Sequence, residues 1–154
     1  MITKIISGGQ TGADLGGLKA AKELGIPTGG FAPTNFITEL GPNLELRDIY
    51  KLADEGDNYI TRTEKNVKVS DATVIFAQKL GSAGTKLTLN KVGRYKKYVI
   101  LNPLPGDLRI WLETHPDIKI LNIAGNRASV DPGAEATAKN TLLRALDPDL
   151  QDWV

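Results

Sequence analysis

The sequence predicts an α/β fold in which a mostly parallel sheet is covered by helices on both faces. Strand-like and helix-like patterns alternate along the chain, which is the order typical of parallel sheets. Residues 72–77 (ATVIFA) form a near-continuous apolar run, as expected of a strand buried on both faces. Glycine-rich turns separate strand patterns from the helix patterns that follow them, for example at residues 7–12.

The first half of the chain is predicted to contain two strands, two helices and a long loop. Residues 32–58 include Pro33, Gly41 and Gly56 and show only one helical turn, near 46–52, so most of this segment is expected to be loop. Gly25 is expected to end the first helix. The predicted elements are a strand at 2–7, a helix at 13–24, a strand at 27–31 and a polar helix at 62–69.

The second half repeats the alternation. Asp131 and Pro132 are read as a helix N-cap followed by proline at the first helical position, with that helix running to about Leu146. The other predicted elements are strands at 72–77, 98–102 and 118–124 and helices at 86–95 and 108–114.

Length and composition indicate one globular domain over residues 1–154 and exclude several function classes. The net charge of +1 creates no field that would recruit nucleic acid or a membrane. There is no cysteine, and His115 is the only histidine, which argues against a directly coordinated metal and against a Ser-His triad. Neither a signal peptide nor an apolar run of about 18 residues is present, so we expect a cytoplasmic protein.

Three polar or glycine-rich turns follow predicted strands, at residues 7–12, 81–85 and 125–127. In an open parallel sheet these turns lie on the same edge, where ligands bind. The start of a helix carries unpaired N–H groups and a partial positive charge. The three turns together therefore predict a site for an anionic group such as a phosphate.

The first turn resembles a phosphate-binding turn without matching either common glycine fingerprint. It lacks the Gly-Lys-Ser/Thr ending of a P-loop and the G-x-G-x-x-G spacing of a dinucleotide site. Its glycines would let the backbone approach a ligand, although a plain tight turn with Asp14 complementing the helix dipole is the alternative. The candidate ligand-binding residues are Gly8, Gly9, Gln10, Thr11 and Gly12.

The second turn and two arginines extend the candidate site. Arg62 and Asn66 share a helical face, and Arg62 could hold a phosphate through two hydrogen bonds. Arg127 follows the last strand and could reach the same anion. An ordinary loop and a solvated helix are the alternatives. The candidate residues of the second turn are Gly81, Ser82, Gly84 and Thr85.

Four motifs resemble the putative molybdenum carrier family. They extend from residue 7 to residue 133 and read SGGQTGADLGGLKAAKELGIPTGGFAP, RTEKNVKVSDATVIFA, GSAGTKLTL and LNIAGNRASVDPG. The resemblance implies a Rossmann-like three-layer sandwich, in a superfamily that includes molybdenum cofactor carriers and the Lonely Guy phosphoribohydrolases, also called lysine-decarboxylase-like proteins. Members of this group bind nucleotides or related phosphate-bearing ligands, usually as dimers or tetramers.

One departure from the phosphoribohydrolase pattern bears on catalysis. Arg62, the start of the 72–77 strand and the Gly84-Thr85 pair match that pattern, but the position of its glutamate falls on Thr88. Cleavage of an N-glycosidic bond calls for a carboxylate, which threonine does not supply. The resemblance therefore favours binding over hydrolysis.

The leading hypothesis is a non-catalytic carrier or sequestering protein for a phosphate-bearing small molecule, either the molybdenum cofactor or a nucleotide, acting as a homodimer or homotetramer. A nucleotide-processing hydrolase is the alternative, with Asp14 or Glu64 in place of the missing carboxylate, since Asp71 is expected at the wrong end of its strand. A scaffold with an empty cleft is a third reading. His115 is expected in a surface loop, Trp111 in packing, and Trp153 in packing or an oligomer contact.

Overall fold

The computed structural model describes residues 1–149, so Trp153 lies outside the described residues. Strands and helices alternate as the sequence predicts. The strands are β1 (Lys4–Ile6), β2 (Thr28–Gly29), β3 (Phe31–Ala32), β4 (Ile37–Thr38), β5 (Gly41–Pro42), β6 (Ala53–Asp54), β7 (Ala72–Phe76), β8 (Tyr98–Leu101) and β9 (Ile120–Gly125). The α-helices are α1 (Ala13–Leu24), α2 (Glu45–Asp48), α3 (Tyr59–Val69), α4 (Ala83–Tyr95), α5 (Pro105–Thr114) and α6 (Ala134–Leu146).

The main sheet has five strands in the order β2-β1-β9-β7-β8. Every neighbouring pair is parallel. The last strand, β9, lies in the centre between β1 and β7, where Leu121 pairs with both Ile5 and Ala72. The α/β prediction is confirmed, and the parallel arrangement places the ends of β1, β7 and β9 at one edge.

The two faces of the sheet are covered by different helices. Val74, Phe76 and Ile123 belong to the core that also contains buried residues of α1, α5 and α6. The alternate positions, such as Ile75 and Asn122, face the side of α3 and α4, because successive residues of a strand point to opposite faces. Both faces are therefore buried, as the apolar run at 72–77 predicts.

Three helices begin three residues earlier than the sequence predicts: α5 starts at Pro105, and α3 and α4 start after polar N-cap residues. The side chain of Asn58 accepts a hydrogen bond from the Thr61 N–H at 3.1 Å, and α3 starts at Tyr59. Ser82 Oγ accepts from the Thr85 N–H at 3.4 Å, and α4 starts at Ala83. Polar N-caps satisfy the free N–H groups of the first turn, so α3 and α4 extend into residues read as loop.

The strand predicted at 27–31 is divided at Gly30. A Cβ atom at Gly30 (φ +124°) would lie 2.1 Å from the Ser7 carbonyl oxygen, so the chain bends against β1 there. β2 pairs with β1, whereas β3 pairs with β6. The segment 32–58, predicted as mostly loop, contains the short elements β4, β5, α2 and β6. The helical turn expected near 46–52 lies at Glu45–Asp48.

The start of α6 also differs from the prediction. Gly133 occupies the N-cap, and the helix begins at Ala134. Asp131 Oδ1 accepts a hydrogen bond from the Gly133 N–H at 3.0 Å, so Asp131 forms a turn before the helix and does not cap it. The helix ends at Leu146, as predicted. Within residues 1–149, no helix has the length and apolarity needed to cross a membrane.

Candidate functional site

A cleft opens at the carboxyl ends of β1, β9 and β7. Its empty volume is about 740 Å³ with the open mouth included. The start of α1, the start of α4, one face of α3 and the segment after β2 form its walls, and β7 and β9 form its floor. The lining residues include Gly8, Gln10, Asp14, Phe31, Pro33, Tyr59, Arg62, Thr63, Asn66, Ile75, Gly84, Thr85, Thr88, Asn122, Ala124 and Gly125.

Half of the predicted site residues meet in this cleft. They come from the first turn, from α3 and from the second turn, as expected of turns at one sheet edge. These residues are Gly8, Gln10, Arg62, Asn66, Gly84 and Thr85.

Gly9 and Gly12 contact protein and lie outside the cleft lining. A Cβ atom at Gly9 (φ +79°) would lie 2.8 Å from Leu46 Cδ1 and 2.9 Å from Leu52 Cδ2. A Cβ atom at Gly12 (φ +82°) would lie 2.3 Å from the Asn126 carbonyl oxygen. Both positions require glycine because of a positive φ and close packing.

Thr11 and Arg127 contact Glu39, which lies in the turn between β4 and β5. Glu39 accepts hydrogen bonds from Thr11 Oγ1, from the Ser129 N–H at 3.1 Å and from Ser129 Oγ at 2.5 Å. The Arg127 Nε lies 3.6 Å from Glu39 Oε1. The hydrogen bonds from Ser129 and Thr11 lower the pKa of Glu39, with a further contribution from the Arg127 charge. This Glu39 cluster joins the β4–β5 hairpin to the first and third turns.

Gln10 both lines the cleft and supports the hairpin. Its Oε1 accepts from the Thr11 N–H and from the Glu39 N–H, each at 3.0 Å. Its Nε2 has no partner among residues 1–149. The amide nitrogen of Gln10 therefore remains available to a ligand.

The second turn has a structural as well as a candidate binding role. Ser82 caps α4, and its Oγ donates to Thr85 Oγ1 at 3.0 Å. Gly81 is exposed, and a Cβ atom there would meet nothing within 4 Å. A Cβ atom at Gly84 would lie 2.6 Å from the Tyr59 hydroxyl, so Gly84 leaves room for that side chain at the start of α4.

Arg62 places a positive charge in the cleft wall. Its Nη1 donates to the Gly56 carbonyl at 2.8 Å, and its guanidinium carbon lies 5.7 Å from the centre of the Tyr59 ring. Burial lowers the pKa of Arg62, yet a guanidinium stays protonated in proteins. Arg62 is thus a partly ordered cation with unused N–H donors.

Asn66, expected to read a ligand, binds the main chain of Phe31. Its Oδ1 accepts from the Phe31 N–H at 3.0 Å, and its Nδ2 donates to the Phe31 carbonyl at 3.2 Å. Two further asparagines bind main chain in the same paired way, Asn102 at Ala77 and Asn126 at Lys79.

Sequence reasoning missed Asn102 and Asn126. Both hold the segment between β7 and the second turn, Asn102 from the end of β8 and Asn126 from the end of β9. The available signal was an asparagine at the last position of a predicted strand (Asn102) or in the turn that follows one (Asn126), since such a residue lies at the ligand edge of the sheet.

Three carboxylates are candidates to replace the missing glutamate: Asp14, Glu64 and Asp71. Of these, Asp14 lines the cleft. Its Oδ2 accepts from the Gln10 N–H at 3.1 Å, and the Gly8 N–H also donates to the carboxyl. Burial raises the pKa of Asp14 to about 7, and these two hydrogen bonds oppose the rise. Near neutral pH the carboxyl is therefore divided between its two protonation states.

The other two carboxylates lie elsewhere. Glu64 binds Lys91 Nζ at 3.0 Å and the Tyr95 hydroxyl on the α3–α4 side. Asp71 accepts from the N–H groups of Lys119 and Ile120 at the amino ends of β7 and β9, which confirms its expected position.

The floor of the cleft contains a buried asparagine and the threonine that replaces the glutamate. Asn122 is 3% exposed; its Nδ2 donates to Thr73 Oγ1 at 3.3 Å, and its Oδ1 accepts from no group of residues 1–149. Thr88 Oγ1 donates to the Gly84 carbonyl at 3.1 Å, so its hydroxyl supports the first turn of α4.

The remaining singled-out side chains lie away from the cleft. His115 Nδ1 lies 2.7 Å from the Trp111 carbonyl oxygen, and the His115 ring packs edge-on against Tyr98. Trp111 packs against the main core, as predicted. Residues 1–149 contain no group of three or more His, Cys, Asp or Glu side chains placed to hold a metal ion.

Comparisons with known proteins agree with this architecture. The family model described as the circularly permutated YpsA SLOG family matches residues 5–146. A crystal structure of a putative molybdenum carrier protein from Syntrophus aciditrophicus SB is 35% identical, has a TM-score of 0.84, and is matched over 94% of this chain and 95% of that chain.

A more distant similarity is to the tRNA modification GTPase MnmE of Rhodopseudomonas palustris (strain BisB18). The two are 24% identical over 108 residues, which are 67% of this chain and 24% of the GTPase. The chain thus matches about a quarter of that relative's length.

Proposed function

Since the chain belongs to the circularly permutated YpsA SLOG family, we propose that it binds a phosphate-bearing small molecule, as a carrier or a sequestering protein. The similar crystal structure is that of a putative molybdenum carrier protein, which supports a binding role at the level of the family. The observation that supports the proposal most directly is the cleft, which both Arg62 and the start of α4 line.

The start of α4 suits an anion. Helix N-termini present free N–H groups and a partial positive charge, and Gly84 and Thr85 bring this helix start into the cleft lining. Arg62 adds a full charge with donors that match phosphate oxygens. Phe31 and Tyr59 line the same cleft and offer aromatic surface to a planar ring.

Two ligand classes fit this description. One is the molybdenum cofactor, whose pterin carries a phosphate and whose metal is cargo held by the pterin. The other is a nucleotide. Thr88, at the position of the hydrolases' glutamate, supplies no carboxylate, which favours holding the ligand over cleaving it.

Native mass spectrometry of the protein purified from its host tests the proposal. We expect a mass excess that is lost on denaturation and that corresponds to a phosphate-bearing pterin or a nucleotide. If the protein is empty and also gives no heat of binding with inorganic phosphate, nucleoside monophosphates or pterin phosphates, the proposal is wrong.

A nucleotide-processing hydrolase remains the second candidate, and one observation favours it. Asp14 lines the cleft, and its pKa of about 7 is suited to general acid–base catalysis at neutral pH. Incubation with nucleoside monophosphates, followed by chromatography, would reveal free base. Release of base that is absent with Asp14→Asn would support this candidate, and no release by the wild-type protein would exclude it for these substrates.

A further inference from the structure

The main-chain donors of the first glycine turn are already occupied. In phosphate-binding turns, successive N–H groups point at the anion. Here the N–H groups of Gly8 and Gln10 donate to the carboxyl of Asp14, from the first turn of the following helix. A phosphate placed on this turn would compete with Asp14 for the same donors and meet its negative charge.

The anion is therefore expected at the other end of the cleft. The start of α4 and Arg62 offer positive potential there, and the side chains of Ser82 and Thr85 provide hydroxyls near the helix start. β9 lies between β1 and β7, so the two turns are two strand spacings apart, about 10 Å. A molecule that spans both ends needs a phosphate at one end and a different group at the other.

The end near Asp14 is rich in hydrogen-bond acceptors. A carboxylate has about four acceptor positions, of which the turn uses two. Asn122 Oδ1, on a side chain that is 97% buried, accepts from no group of residues 1–149 while the residue lines the cleft. No fully buried side-chain oxygen or nitrogen of residues 1–149 lacks a hydrogen-bond partner, so Asn122 Oδ1 is open to the cleft and can accept from a ligand group that donates.

We propose that the ligand is a phosphate ester of a heterocycle in which a ring N–H stands beside an exocyclic amine, and that Asp14 and Asn122 accept from this edge while the phosphate lies at α4. This inference rests on the proposed function. Guanine nucleotides and pterin phosphates share this edge. Adenine has no ring N–H on its pairing edge, and hypoxanthine and lumazine carry no exocyclic amine.

Calorimetric titration with matched ligand pairs tests the inference. The pairs are GMP with IMP, and pterin monophosphate with lumazine monophosphate, which differ by the amine; inorganic phosphate probes the anion end alone. We expect the amine-bearing member of at least one pair to bind wild-type protein roughly tenfold more tightly, the equivalent of one charge-assisted hydrogen bond. Whichever of GMP and pterin monophosphate binds more tightly identifies the heterocycle as a guanine or a pterin.

Asp14→Asn is expected to remove this preference and to change the affinity for inorganic phosphate by less than about threefold. Asp71→Asn is the matched control, because Asp71 also accepts from two main-chain N–H groups but lies at the amino ends of the strands. The control variant should retain the wild-type preference.

Amide shifts of the wild-type protein locate the anion without any variant. Inorganic phosphate should shift the resonances of Gly84 and Thr85 and leave those of Gly8 and Gln10 in place. The opposite pattern would overturn the inference. Three calorimetric results would also overturn it: equal binding within both ligand pairs, a preference for the amine that survives Asp14→Asn, or an approximately tenfold gain in phosphate affinity in that variant. If wild-type protein binds none of these probes, the proposed function fails as well.

Discussion

At the scale of single residues, Asp14 and Arg62 give the cleft one group of each charge. The carboxyl of Asp14 occupies the donors of the first turn, whereas Arg62 keeps donors free in the wall. The sequence treats the glycines as the principal ligand residues, but in the structure Gly9 and Gly12 serve packing. We therefore expect ligand binding in this cleft to depend on side chains as much as on glycine backbone.

The stability of the protein should depend on pH through Asp14. Its pKa is about 7 in the folded chain against an ordinary value of 3.8, so between these values the folded state holds more protons than the unfolded state. Raising the pH through this window therefore lowers the free energy of unfolding, and above pH 7 this loss is complete. Between pH 5 and pH 8, the free energy of unfolding of the wild-type protein should fall by about 1–2 kcal/mol relative to that of Asp14→Asn.

Urea unfolding of both proteins at the two pH values measures this fall. Comparing the variant with wild type cancels the titration of the other carboxylates. A difference in unfolding free energy that does not change with pH would contradict the assignment of a raised pKa to Asp14.

Replacing Arg62 by alanine should weaken ligand binding by roughly 1.5–3 kcal/mol, the range for a hydrogen bond to a charged group. Isothermal titration with the ligand that native mass spectrometry identifies measures the loss. Lys97→Ala serves as the control, since Lys97 lies beyond α4 and outside the cleft lining. An equal loss in the two variants would remove Arg62 from the site.

At the scale of elements, glycines set how closely α1 approaches its neighbours. A Cβ atom at Gly16 would lie 2.3 Å from the Glu135 carbonyl oxygen of α6, and one at Gly17 would lie 2.7 Å from Ile123 Cβ of β9. These contacts place α1 close to both β9 and α6. They thereby fix the position of the first turn, which directly precedes α1.

Two Gly→Ala substitutions should have opposite effects on stability. Gly16→Ala should destabilise the protein by about 1–3 kcal/mol, because the added methyl group meets main chain that is unable to move freely. Gly93→Ala in α4 should stabilise it by about 0.5–1 kcal/mol, because a Cβ atom there meets nothing within 4 Å and alanine favours the helix. Denaturant unfolding of both variants checks the two signs, and the same sign in both would contradict this account.

The β4–β5 hairpin is attached to the cleft edge through the Glu39 cluster. Glu39→Gln removes the charge that Ser129, Thr11 and Arg127 bind, so local opening of the hairpin should become easier. Hydrogen exchange of the Glu39 and Ser129 amides should accelerate accordingly. Glu45→Gln, an exposed carboxyl of the same segment, is the control. Unchanged exchange in Glu39→Gln would show that the cluster does not hold the hairpin.

At the scale of the whole molecule, the order of the strands creates the site. The chain builds β1 and β2 at one side, then β7 and β8 at the other, and returns with β9 to the centre. The three polar turns consequently meet at one edge, although they are separated by up to about 120 residues.

Assembly into a homodimer or homotetramer stays a prediction. β8 is an edge strand of the sheet, and Tyr98 and Leu101 on it are 40% and 42% exposed, which suits association. Sedimentation equilibrium should give two or four times 16.6 kDa. Leu101→Lys should lower the association constant if this edge contributes, and a monomer over the whole concentration range would contradict the prediction.

Much of the fold could be predicted because its signals are local. Apolar periodicity places α1 at Ala13–Leu24, and Gly25, in the left-handed conformation (φ +71°), ends it as expected. The sequence predicts the start of α4 three residues too late, because Ser82 and Thr85 are equally typical of a loop. The pairs β3–β6 and β4–β5 were missed because two-residue strands have no detectable periodicity.

The alternation of strand and helix patterns was enough to establish the parallel sheet and the edge at which the three turns meet, because periodicity and turn chemistry act within a few neighbouring residues. Which polar groups of those turns stay free for a ligand depends on contacts between distant parts of the chain. Asn66 binds Phe31, and Glu39 binds Ser129, across 35 and 90 residues. Burial by surrounding elements likewise raises the pKa of Asp14, a property that no stretch of sequence around it encodes.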